Sequence, residues 1–190
     1  MCYAIFPLSP SFPLKKNYST TIRLPIVCVA TESIIAKPYQ FIIDWSDFHI
    51  AALWVKIGLS KKKIILWQDI QEISNGWYVQ NETVFSDPED LVRLETVLEK
   101  FFDVKGAFCK TLEDVVLGKV SDFTFDAQTG QITQFMLKNH ALRPIAHELL
   151  LPVNLVKKVE AKTLYIEDIE RPIVENEQAK AVVLPATNYV

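Results

Sequence analysis

The chain repeats itself. Residues 34–56, IIAKPYQFIIDWSDFHIAALWVK, and residues 116–138, VLGKVSDFTFDAQTGQITQFMLK, align without a gap at an offset of 82. Five positions are identical: Lys37/Lys119, Phe41/Phe123, Asp44/Asp126, Ile50/Ile132 and Lys56/Lys138. Ala36/Gly118, Leu53/Phe135 and Val55/Leu137 match in kind, and the apolar positions keep their phase throughout. A second block follows at an offset of 86, where residues 66–73 (LWQDIQEI) are matched by residues 152–159 (PVNLVKKV). The four extra residues fall in the loop around residues 139–148. Each copy then ends in a short apolar run, residues 76–79 and 163–166. A repeat of this size means two copies of one supersecondary unit, and it outranks any residue-level signal when a fold is assigned.

The local chemistry of the unit is β. Phe123 and Phe125 point one way and Asp122 and Thr124 the other, the period-2 alternation of a half-buried strand. Residues 126–130 (DAQTG) read as a hairpin turn, with Asp favouring the start and Gly130 supplying positive φ at the bulge. Residues 132–138 return as the partner strand. Several short strands per copy predict a small closed barrel, since closure removes exposed edges.

Between the copies, residues 86–102 predict an amphipathic helix. Ser86 and Glu89 have capping-box spacing, Pro88 suits a first turn, and Leu91, Leu94, Leu98 and Phe101 make one apolar face. The stripe is read as core, with partner binding the alternative. The expected organisation is all-β with one linker helix. It comprises a flexible leader (1–19), a first barrel-like domain (20–83), the linker helix (86–102), a second barrel (103–170) and a tail (171–190). In the tail, residues 181–184 could add a strand and the rest is expected to be mobile.

Composition narrows the function classes. Of 190 residues, 49% are apolar and 23% charged, enough apolar material for a core. The formal net charge of −3 argues against phosphate contacts as the dominant source of affinity. Cys2, Cys28 and Cys109 are odd in number, widely spaced and free of a CxxC motif, which speaks against a disulfide framework or a zinc ribbon. Reduced, mostly buried thiols in a cytoplasmic protein are expected. No run reaches the roughly 18 apolar residues of a membrane span, and the longest candidate, residues 49–59, is broken by Lys56. The N-terminus has apolar residues and three prolines but neither a basic region ahead of them nor an A-x-A site, so it fits a signal peptide poorly. Weak membrane contact through Phe6 and Phe12 is a minor alternative.

The second copy carries a specific resemblance. Leu117-Gly118-Lys119-Val120-Ser121-Asp122, then Phe125-Asp126, then Thr129-Gly130-Gln131-Ile132 and a Leu-Pro approach to a polar-apolar block resemble the PRC-barrel family. That β-barrel occurs in the photosynthetic reaction-centre H subunit and at the C-terminus of a ribosome maturation factor. The resemblance covers roughly residues 104–170 and reaches the first copy only through the repeat. It implies two barrels that act by binding proteins or seating a larger assembly, with no catalytic residues. The first copy departs from the pattern, with Ala36 at the Gly118 position, Pro38 at Val120 and Phe48 at Gly130. A bulky residue resists positive φ, so the turn at residues 44–48 is expected to differ in shape.

No catalytic, metal or cofactor site is expected. GxGxxG, Walker, GxSxG and HExxH patterns are absent from the sequence. His140, His147 and Glu148 could hold a metal, but a solvated loop is the reading adopted. Asp44 and Asp126 repeat at turn positions, as a structural role predicts; an acid–base pair would have to meet in a cleft. Lys61, Lys62 and Lys63 are placed in the loop before a strand at residues 64–67, as a solvated face or an RNA contact. All four tryptophans fall in copy one. Trp45, Phe48, Trp54 and Trp77, with the lysine run, are the candidate partner-binding residues; the alternative is that these aromatics fill the seam between copies. The function expected is a non-catalytic adaptor that seats a protein partner. The alternatives are an assembly factor touching ribosomal protein or RNA, then an enzyme of unrecognised type.

Overall fold

Alternation along the repeated segments becomes the inward and outward faces of two β-sheets with one strand order. The structure, a computed structural model, describes residues 14–58, 61–138 and 148–167, and the backbone of residues 174 and 175. Copy one contains β1 (Lys15–Asn17), α1 (Tyr18–Thr21), β2 (Ile26–Cys28), β3 (Ser33–Asp44), β4 (His49–Ile57), β5 (Lys61–Leu66), β6 (Ile70–Ile73) and β7 (Trp77–Val79). After α2 (Glu95–Glu99) come β8 (Phe108–Thr111), β9 (Val116–Asp126), β10 (Ile132–Lys138), β11 (Glu148–Pro152), β12 (Val156–Glu160), β13 (Thr163–Ile166) and β14 (Val174–Glu175). The first sheet runs β5-β4-β3-β2-β7-β6. The second runs β11-β10-β9-β8-β13-β12 and gains β14 beyond β11 and β1 beside β9. The only parallel pairs among the described strands are the equivalent ones, β2 with β7 and β8 with β13.

The two sheets share a single hydrophobic core. Tyr18 lies between Phe41 of copy one and Phe123 of copy two, each ring centroid 4.9 Å away. Phe41 meets Phe125 edge-on at 5.6 Å, and Trp77 stacks on Phe125 at 6.5 Å. Phe123, Phe125 and Phe135 are fully buried, and each contributes on the order of 1.5–3 kcal/mol by leaving water. The division into residues 20–83 and 103–170 follows the chain but not the packing.

The seam between copies is self-complementary. Ile50 N–H donates to Gly130 C=O at 3.0 Å, and Ile132 N–H donates to Phe48 C=O at 2.9 Å. His49 faces Gln131 in an antiparallel bridge between them. The repeat offset of 82 makes Phe48/Gly130, His49/Gln131 and Ile50/Ile132 equivalent pairs. The contact therefore has the reciprocity of an isologous dimer interface, built within one chain. The segment before each copy crosses to the other: β1 pairs with β9, and α2 packs on β3.

Three expectations are corrected. Residues 14–19 of the expected leader are structured: β1 adds to β9, Tyr18 enters the core, and Ser19 N–H and Oγ donate to the Asp122 carboxylate at 3.0 and 2.5 Å. Residues 1–13 lie outside the described residues, as do Cys2, Phe6, Phe12, His140, His147 and residues 181–184. Residues 86–102 do not form one helix; 3-10 turns at Pro88–Asp90 and Val92–Leu94 precede the five-residue α2. Ser86 is drawn away from capping because it exchanges backbone hydrogen bonds with Ile64, and Leu91 at φ −105, ψ 64 breaks the spiral. The stripe still packs: Leu91, Leu94, Leu98 and Phe101 lie over Ile42, Ala52 and Ile64 on the outer face of copy one. Lastly, Lys61, Lys62 and Lys63 belong to β5 rather than a loop, opposite Ile57, Lys56 and Val55. Extended pairing with β4 continues through them.

Candidate functional site: an aromatic cleft at the seam

The β3–β4 turn of copy one sets the site. Asp44 Oδ1 accepts from Ser46 N–H at 2.9 Å and Ser46 Oγ at 2.6 Å. At the equivalent turn Asp126 Oδ1 accepts from Gln128 N–H at 2.8 Å and Thr129 N–H at 3.0 Å. Both carboxylates shape turns, as their repetition predicts. The turns differ in hydrogen bonding, as expected, since Gly130 N–H donates to Asp126 C=O at 2.8 Å while His49 N–H donates to Asp47 Oδ1 at 3.2 Å. They nevertheless share one left-handed position: Phe48 has φ +58 and Gly130 φ +76. A non-glycine residue there costs on the order of 1–3 kcal/mol. Phe48 is held because its carbonyl accepts from Ile132 N–H and from Gln131 Nε2 at 3.2 Å. Across the seam, a Cβ on Gly130 would fall 2.7 Å from the Trp67 ring and 3.0 Å from His49 Nε2. The offset of 86 puts Val153 at the place of Trp67, and the offset of 82 puts Phe48 at the place of Gly130, so each copy carries its bulky residue where the repeat gives the other a smaller one.

Trp45, half-buried, stacks on Phe102 at 4.7 Å with planes 3° apart and meets Phe48 edge-on at 6.2 Å. The turn, the linker and β12 of copy two enclose an open cleft of about 550 Å³, lined among others by Trp45, Phe48, Val97, Lys100, Lys157 and Val159. A neighbouring cleft of about 460 Å³ shares Trp45 and reaches Phe102 and Lys162. The equivalent place on the other side of the seam is a cleft of about 410 Å³ between the β9–β10 turn and β6, where Ala127 stands in the position of Trp45. The main cleft is polar at its rim. Lys158 Nζ lies 2.8 Å from Glu160, and this hydrogen bond raises the Lys158 pKa; Lys157 Nζ lies 3.4 Å from Glu167.

Of the residues singled out in the sequence, the structure brings together Trp45 and Phe48. Trp54 lies half-buried beneath the linker, stacked on Tyr39 at 6.3 Å with planes 30° apart, rather than on an exposed face. Trp77 is 1% exposed and its Nε1 donates to Thr21 C=O at 2.9 Å, so it presents no surface. Lys61 and Lys62 are exposed on edge strand β5, while Lys63 pairs with Asp87 at 2.5 Å. Lysines on an edge deter pairing with another chain. The cleft residues that the sequence did not single out include Val97, Lys100 and Val159 and, in the neighbouring cleft, Phe102. The Phe101-Phe102 doublet was a signal: one ring serves the linker cluster and the other serves Trp45.

Among the described residues, no group of three or more His, Cys, Asp and Glu could hold a metal ion. Cys28 and Cys109 are free and buried, and burial pushes the Cys109 thiol up to about 12. No helix among these residues is long and apolar enough to cross a membrane. Compared with models of known families and with curated proteins, the sequence matches none.

Proposed function

We propose that this chain is a non-catalytic, cytoplasmic adaptor of tandem PRC-barrel type that seats a protein partner in the cleft at Trp45 and Phe48. The observation that carries the reading is the asymmetry of two equivalent clefts. The fold repeats the same turn, yet copy one places Trp45 and Phe48 where copy two has Ala127 and Gly130. Half-buried aromatics in a cleft with a polar rim are the composition of an interface centre. The resemblance of residues 104–170 to PRC-barrels adds the protein-binding role.

The second reading is an assembly factor contacting ribosomal protein or RNA, favoured by the exposure of Lys61 and Lys62 beside Lys56. Quantitative capture with three baits separates the two: wild type, Trp45→Ala, and Lys61→Glu with Lys62→Glu. A protein retained at high salt and lost from the Trp45→Ala bait supports the adaptor. RNA retained only at low salt, and lost from the glutamate bait, supports the second. Retention indifferent to Trp45 sinks the proposed contact.

A further inference from the structure

We propose that the outer face of copy two is covered by this chain's own residues 176–190, as the linker covers the outer face of copy one. The covered face in copy one centres on the cross-strand pair Trp54 and Ile64. Ile64 is 0% exposed because Leu94 and its neighbours lie over it. The repeat offsets of 82 and 86 turn that pair into Met136 and Leu150, again a cross-strand pair, and both are only half-buried.

The path that brings the cover is also repeated. In copy one the chain leaves β7, bridges Ile64 at Ser86, and runs on as the linker. In copy two it leaves β13 and pairs Val174 with Leu150. Ser86 and Val174 thus occupy equivalent places, at an offset of 88. At that offset the apolar stripe Leu91, Leu94, Leu98 and Phe101 becomes Ala179, Val182, Ala186 and Tyr189. Asp87 and Glu89 become Glu175 and Glu177. The phase is kept while the side chains shrink, in step with the face beneath, where Ile42 and Ala52 have become Thr124 and Gln134. Pro185 stands at the place of Val97, so what carries over is the spacing of apolar groups rather than a helix.

Met136 supplies the readout, because thioether oxidation follows exposure. The rate of Met136 sulfoxide formation in dilute peroxide is measured by peptide mass spectrometry, with free methionine as reference. Three proteins are compared: the full chain, the chain ending at Glu175, and the full chain carrying Val182→Asp and Tyr189→Asp. Tryptophan emission establishes that each is folded. The expected result is oxidation about three- to tenfold faster in both altered proteins than in the full chain. If truncation prevents folding, the double substitution carries the test. Equal rates in the folded proteins overturn the proposal. Protection that persists in the altered proteins and grows with protein concentration also overturns it, and assigns the face to a second copy.

Discussion

Gly130 has little freedom to accept a side chain. Its backbone is left-handed and a Cβ would meet two aromatic side chains. Gly130→Ala is expected to destabilise the protein by roughly 2–4 kcal/mol, combining the positive-φ cost with overpacking. Urea unfolding measures it, and a loss below 0.5 kcal/mol contradicts the contact with Trp67. Tyr18 gives a pH signature. Burial, with Asp103 and Asp122 nearby, pushes its hydroxyl from 10.0 up to about 12. The folded pKa is raised, so the fold favours the neutral phenol. That stability is fully present below about pH 10 and is lost as pH climbs toward 12. Subtracting the unfolding free energy of Tyr18→Phe from that of wild type should give a difference that falls across this window. A flat difference means that Tyr18 is not buried as described.

Among the elements, the linker shows where local rules give way. Its capping box and apolar period predict a helix, yet Ser86 is taken by the β5 edge and only residues 95–99 are α-helical. The apolar stripe survives this because a 3-10 turn still brings side chains three apart onto one side. Leu94, 7% exposed, anchors the contact. Leu94→Ala should cost about 2–4 kcal/mol in equilibrium unfolding and raise acrylamide quenching of Trp54, which lies beneath the linker. Unchanged quenching would place the linker elsewhere. The lysine run shows the converse: a charged triplet looks like a loop, but strand β5 tolerates it because Lys61 and Lys62 are exposed and Lys63 pairs with Asp87.

Because the copies share one core, they should unfold together. All four tryptophans lie in copy one, so their fluorescence reports on that copy and on the seam where Trp67 and Trp77 meet Phe125, while far-UV dichroism reports on both copies throughout. Phe125→Ala, in copy two, removes a ring packed on Phe41, Trp67 and Trp77. It should lower both transitions together by about 3–5 kcal/mol. A dichroism change that precedes the fluorescence change would show two independent domains instead.

The repeat, the all-β class and the turn carboxylates were legible in the sequence, because period-2 alternation and Asx turns are local and survive in any packing. The inward positions Phe41, Ile43, Phe123 and Phe125 follow from that alternation, whereas an irregularity earlier in each strand turns Ala36 and Val120 inward out of phase with them. What filled the space between the copies was not legible. Whether Trp54 met solvent or the linker, whether Trp77 was surface or core, and whether Phe48 could hold a left-handed backbone all depended on groups far away in the chain. Phe48 keeps its conformation because Gln131 and Ile132 bond its carbonyl from the other copy. The tertiary structure decided these points, since an aromatic side chain takes its role from what covers it, and the cover here comes from the second copy and the linker.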